Sequence, residues 1–189
     1  MIDIIIVEQG KYYYIELKYQ TSELTLGSGM PLLLKQQAAE DLKRYDYLWD
    51  IYRLCDIAKN YPYSFGGGFA IILTNDHLMY DAPSTSKATL DSNFRIHDRR
   101  IPCGGTWPVP GIVSWNNAGL SSSHWTKTSA RKCSFTVPTI STDWEDYCNI
   151  MDSNGMQHKF KYLINEVTLK SAKSVASIIS TNNNSRKTE

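Results

Sequence analysis

Two runs of β-branched and aromatic residues open the chain, Ile4-Ile-Ile-Val7 and Tyr12-Tyr-Tyr-Ile15, on either side of Gln9-Gly10. Such residues favour the pleated surface of a strand, and Gly tolerates the positive φ of short hairpin turns. The segment therefore predicts a β-hairpin. A loop symmetric about Gln9-Gly10 pairs Ile5 with Tyr14, Val7 with Tyr12 and Asp3 with Glu16. A three-residue bulged loop would shift the register by one and carry Asp3 to the other face. Side chains alternate along a strand, so Lys18 shares the face of Glu16. The hairpin is apolar on both faces: Ile5, Val7, Tyr12 and Tyr14 lie on one, and Ile2, Ile4, Ile6, Tyr13, Ile15 and Leu17 on the other. That predicts a central element covered on both sides.

The period then changes. Thr21 to Pro31 is a polar, Gly-containing connector whose Pro suits the first turn of a helix. From Leu32 to about Lys59 there is no Gly or Pro, and Leu34, Ala38, Leu42, Tyr45, Trp49 and Tyr52 recur at helical spacing. A neighbouring stripe, Gln37, Asp41, Arg44, Leu48, Ile51 and Cys55, is polar in its first half and apolar in its second. Its polar half either faces a functional site or is a solvated face carrying an Asp41 to Arg44 pair. After Gly66-Gly-Gly68, expected to be flexible, Phe69 to Thr74 reads as a buried strand. Strand, helix, strand implies a right-handed crossover to a parallel strand. That topology brings the carboxyl ends of both strands, with Glu16 and Lys18 on one and Asn75, Asp76 and His77 on the other, to one edge where open α/β sheets bind ligands. Asn75 to His77 also fit ordinary turn chemistry. Asp81 to Asn93 reads as a polar loop and Phe160 to Val167 as a late strand. Residues 1–170 are expected to form a single domain, and 171–189 a short helix or a disordered tail.

Composition bounds the reading without deciding it. The 189 residues are 42% hydrophobic and 12% aromatic, enough for a domain with a real core. A net charge of +1 excludes binding nucleic acid by bulk electrostatics, so phosphate contacts must come from local patches. The densest basic cluster is Arg95-Ile-His-Asp-Arg-Arg100, with Arg95, Arg99 and Arg100 as the candidate contacts. A second stretch, Trp115 to Lys132, interleaves aromatic and basic residues suited to stacking on bases. Cys55, Cys103, Cys133 and Cys148 are widely spaced and suggest reduced thiols rather than a zinc site or a disulfide framework. No run approaches the roughly 20 apolar residues of a membrane span, and Ile4 to Val7 lacks the basic leader of a signal peptide, so a cytoplasmic protein without a membrane partner is expected.

The candidate chemistry sits on the hairpin. Two carboxylates about 5 Å apart across a strand pair repel unless a cation lies between them, and oxygen ligands of this kind suit Mg2+ or Mn2+. A lysine beside such a site can hold a phosphate oxygen or orient an attacking water, while the metal lowers that water's pKa. The bland alternative is an exposed Asp-Glu-Lys cluster. Asp3, a short hairpin and then Glu16-Leu17-Lys18 resembles the PD-(D/E)XK nuclease superfamily, the restriction-endonuclease-like fold, although Ile rather than Pro precedes Asp3. The wider chain, including Thr74-Asn-Asp-His77 and Phe94-Arg-Ile-His97, also looks like poorly characterised microbial members of that superfamily.

The resemblance implies an α/β fold with an αβββαβ core, a mixed sheet flanked by helices, and cleavage of nucleic-acid phosphodiester bonds, with DNA the expected partner. It implies Asp3, Glu16 and the Leu17 carbonyl as metal ligands and Lys18 as a catalytic residue. It also places Gln37 and Arg44 near the metal and the substrate phosphate. Only Met1 and Ile2 precede Asp3, so the core is expected to be N-terminally shortened, or its edge covered by another segment such as Phe160 to Val167. An uncovered edge would favour a homodimer. The alternative function is a catalytically inactive nucleic-acid-binding or assembly protein that keeps the fold.

Overall fold

The computed structural model describes residues 2–26, 33–84, 89–98, 111–115 and 134–175. The opening runs form β1 (Ile4–Glu8) and β2 (Lys11–Gln20), joined by Gln9 and Gly10 at φ 49° and 75°. Two consecutive positive φ values make the mirror-image turn whose twist matches the strands it joins. The antiparallel pairs run from Ile4 with Ile15 to Glu8 with Lys11, which is the register of the symmetric loop.

Next come a two-residue ladder of β3 (Leu24–Thr25) with β4 (Leu33–Leu34), the helix α1 (Glu40–Asn60), β5 (Phe65–Thr74) and the single turn α2 (His77–Tyr80). The remaining strands are β6 (Gly111–Val113), β7 (Phe135–Val137), β8 (Glu145–Met151) and β9 (Gln157–Val167), and residues 169–175 are helical. The main sheet has the order β1-β2-β5-β9-β8. Within it, β5 lies parallel to β2 and the other neighbours are antiparallel, so the protein is α/β with a mixed five-stranded sheet flanked by helices.

Several expectations are corrected. The hairpin is not central: β1 is an edge strand, and Ile4, Ile5, Ile6 and Val7 are 43–61% exposed. The late strand β9 pairs with β5, on the far side of β2 from β1, so it does not cover that edge. Helix α1 begins at Glu40 rather than Leu32. The backbone of the preceding segment is engaged elsewhere. Gln37 donates its amide to Thr21 at 2.8 Å, and the carbonyls of Lys35 and Gln37 accept from the side chains of Thr21 and Gln20. These bonds compete with the helical ladder, and Ala39, at φ 73°, breaks it.

The expected flexible glycines lie inside β5, and the reason is steric. A Cβ on Gly66 would fall 2.7 Å from the ring of Tyr13, and one on Gly68 would meet Leu54 at 3.2 Å. The first glycine accommodates a neighbouring strand's aromatic ring, and the other the helix above the sheet.

Both stripes of α1 are used. Tyr47, Leu48, Ile51, Leu54 and Ala58 are fully buried with Ala70, Ile72 and Leu163 of the sheet, each large side chain contributing roughly 1.5–3 kcal/mol. Tyr45 and Trp49 turn to a second aromatic layer, where Tyr45 stacks on Trp115 at 5.2 Å and Trp49 meets Phe135 edge-on at 5.0 Å. Among the described residues no helix is long and apolar enough to cross a membrane.

Candidate functional site

Alternation along β2 puts Tyr14, Glu16, Lys18 and Gln20 on one face, where Glu16 and Lys18 meet α1. Glu16 is 2% exposed, which removes the bland reading of a solvated cluster for that residue. Asp3 lies just before β1, and its carboxylate accepts the Leu17 amide at 2.8 Å. A ladder continued by two residues would have placed an Ile2 backbone group there, so a side chain takes over the last rung. Asp3 also lies close enough to Glu16 to help raise the Glu16 pKa, its charge opposing ionisation there. Asp3, Glu16 and the Leu17 backbone are thus gathered where β1 begins, with Lys18 one position along.

The helix supplies the other half of the site. Lys18 Nζ lies 2.8 Å from Asp50 Oδ2, Arg53 Nη2 lies 3.0 Å from Glu16 Oε1, and Arg53 Nη1 lies 3.2 Å from Asp50 Oδ1. Lys18, Asp50, Arg53 and Glu16 form a chain of alternating charge that ties β2 to α1. Counting Asp3, three carboxylates face two cations. The imbalance is visible in Glu16, whose pKa is raised to about 7 by burial, then by repulsion from Asp50 and Asp3, with Arg53 opposing. Burial likewise raises the Asp50 carboxyl, with Lys18 and Arg53 opposing.

The cluster is rich in buried acceptor oxygens. Glu16 Oε1 and Asp50 Oδ2 are buried and meet the geometric criteria for no hydrogen bond, but each is ion-paired, with Arg53 at 3.0 Å and Lys18 at 2.8 Å. Gln20 Oε1 and Gln37 Oε1 are also unsatisfied acceptors. Among the described residues no group of three His, Cys, Asp or Glu side chains is arranged to hold a metal. The groups that could hold a cation are the Asp3 and Glu16 carboxylates and the Leu17 carbonyl, a sparse protein ligation of the kind hydrated Mg2+ accepts.

The other candidates are placed differently. Gln37 is not on α1, and its backbone is held by Gln20 and Thr21, past Lys18. Arg44 is 7% exposed, its guanidinium bound to Asp91 and to the Leu78 carbonyl, so it braces α1 against the 89–98 segment rather than facing a phosphate. Arg95 shares Asp91 with it at 3.2 Å and donates to Thr89 at 2.8 Å. Arg99 and Arg100 lie outside the described residues, as do Cys103, Cys133 and the 116–133 stretch. Trp115 is packed in the aromatic layer, edge-on to Phe94 at 4.8 Å. Cys55 and Cys148 are free thiols, and burial pushes Cys55 up to about 12.

Glu16 and Lys18 sit within β2, not at its end, which is Gln20. At the end of β5, Asn75 instead clamps Ser22 through two backbone bonds, and Asp76 caps α2 by accepting the Leu78 amide at 3.1 Å. These residues are turn chemistry.

Sequence reasoning missed Asp50, Arg53 and Gln20. Asp50 carried a readable signal, since it falls on the arc of Tyr47, Leu48, Ile51 and Leu54, where an unpaired carboxylate could not be buried. Its partner had to come from the sheet. Compared with known proteins, the chain matches no family model, no curated protein and no solved structure.

Proposed function

We propose that this chain is a divalent-metal-dependent nuclease with a restriction-endonuclease-like core, using Mg2+ or Mn2+ to hydrolyse nucleic-acid phosphodiester bonds, with DNA as the expected substrate. One observation carries the reading: the Asp3 carboxylate accepts the Leu17 amide at 2.8 Å, which holds it beside the strand that presents Glu16 and Lys18 on one face. The hairpin, α1 and the parallel strand β5 follow in the order such a core requires, which supports the fold reading.

Asp3, Glu16 and the Leu17 carbonyl would hold the ion, which when bound activates water and neutralises charge on the phosphate. Lys18 donates to a non-bridging phosphate oxygen or fixes the attacking water, and Asp50 restricts where its ammonium can reach. Glu16 would have to be ionised to hold the ion, since a ligating carboxylate must be charged.

A second reading, an inactive binding or assembly protein, is favoured by a different observation. Glu16 and Lys18 already have counter-ions in Arg53 and Asp50, so the network is nearly neutral without metal. Incubation of the wild-type protein with duplex DNA, single-stranded DNA and RNA in Mg2+ or Mn2+ separates the two. Cleavage that is lost in Glu16→Gln and Asp3→Asn supports the nuclease. Intact substrates with a folded wild-type protein support the second reading. A homodimer through the exposed β1 edge is compatible with either.

A further inference from the structure

Arg53 bridges two carboxylates and keeps a route to solvent. Its side chain is 28% exposed, whereas Glu16 and Asp50 are 2% and 3% exposed. Its contact with Asp50, one helical turn away at 3.2 Å, has hydrogen-bond geometry. Its 3.0 Å contact with Glu16 leaves Oε1 without an aligned donor. A long side chain anchored at Asp50 can therefore swing off Glu16 while keeping a carboxylate partner, and Glu16, fixed in the middle of β2, cannot follow it.

We propose that Arg53 is an internal stand-in for the metal: its guanidinium neutralises Glu16 in the resting protein, is displaced by an entering divalent cation, and thereby sets how tightly that cation binds. The inference rests on the nuclease reading for the identity of the metal site and adds a residue that governs its loading. One monovalent side chain leaves Glu16 as one divalent ion arrives. The Asp50 carboxylate keeps Lys18 on Oδ2 throughout, and Oδ1 remains the pivot.

The test is Mn2+ binding followed by the electron paramagnetic resonance of the unbound ion, at pH 8, for the wild type, Arg53→Met and Arg53→Lys, with folding checked by circular dichroism. Removing a competing charge beside a ligand should tighten binding about tenfold in Arg53→Met. Arg53→Lys keeps the charge and should stay close to the wild type. Arg53→Gln serves in place of the methionine variant if that protein folds poorly, with the same tightening expected. Binding in Arg53→Met that is equal to or weaker than wild type overturns the inference, as does the absence of Mn2+ uptake in all variants. Mn2+ binding with tightening in Arg53→Met but no cleavage defeats the nuclease reading and leaves the Arg53 assignment in place.

Discussion

Lys18 Nζ sits 2.8 Å from Asp50 Oδ2, a contact that crosses from the strand bearing the acidic motif to the helix packed on it. Asp50 is almost fully buried there, while Lys18 keeps about a quarter of its side chain in solvent. The pair therefore serves the fold as well as the site. Its two functions can be separated by mutation.

Lys18→Ala leaves the buried Asp50 carboxylate with Arg53 as its remaining cation and should destabilise the protein by roughly 1–3 kcal/mol, less than for a fully buried pair because water screens the lysine. Adding Asp50→Asn should restore part of that loss. Urea denaturation of the two single variants and the double variant gives the coupling energy. Additive effects would show that the contact is not an energetic pair.

Glu16→Gln should stabilise the metal-free protein at pH 8. The folded-state pKa of Glu16 is raised from 4.5 to about 7, so the folded protein holds a proton that the unfolded chain has lost. Stability from this group is present below pH 4.5 and declines as pH rises through 7. Glutamine removes the decline, for a gain of roughly 1–3 kcal/mol at pH 8 that vanishes near pH 5. Thermal melts of both proteins across that range check it. A gain of the same size at pH 5 would mean that ionisation of Glu16 is not the cause.

How much of this could be read beforehand follows from the range of each interaction. The hairpin register was legible because Gln9-Gly10 fixes it locally, and β5 because Phe69 to Thr74 is a continuous apolar run. The start of α1 was not legible, since the bonds from Gln37 to Thr21 and from Gln20 to Gln37 are tertiary and leave no helical periodicity to detect. The resemblance put Arg44 beside a phosphate, and its actual partner, Asp91, lies 47 residues away where no local pattern reveals it. The motif half of the site was on the page, but Arg53 was not, because nothing near it in sequence says that Glu16 will be beneath it.

Arg44→Ala should act on stability alone. Burial by itself would raise the Asp91 carboxyl, but Arg44, Thr89 and Arg95 hold it below the usual carboxylate range. Loss of Arg44 leaves Arg95 as its cationic partner and should cost about 2–4 kcal/mol by chemical denaturation, with Mn2+ affinity unchanged. Weakened metal binding in a folded Arg44→Ala protein would bring this residue back into the site.

The β1 edge carries Ile4-Ile-Ile-Val7, exposed and without the lysine, proline or bulge that usually guards a free strand. Sedimentation velocity should show concentration-dependent dimerisation of the wild type, lost in Ile5→Lys or Val7→Lys. A wild type that stays monomeric at high concentration would rule this edge out as an interface between copies.

The central claim is that Asp3 and Glu16 form one cation site beside Lys18. Anomalous diffraction from crystals soaked in Mn2+ tests it most directly. The account predicts a manganese peak within ligand distance, about 2.2 Å, of one oxygen each from Asp3 and Glu16 and of the Leu17 carbonyl, with Arg53 turned away from Glu16. Saturating Mn2+ with no peak between those carboxylates, and Arg53 still on Glu16, would contradict it.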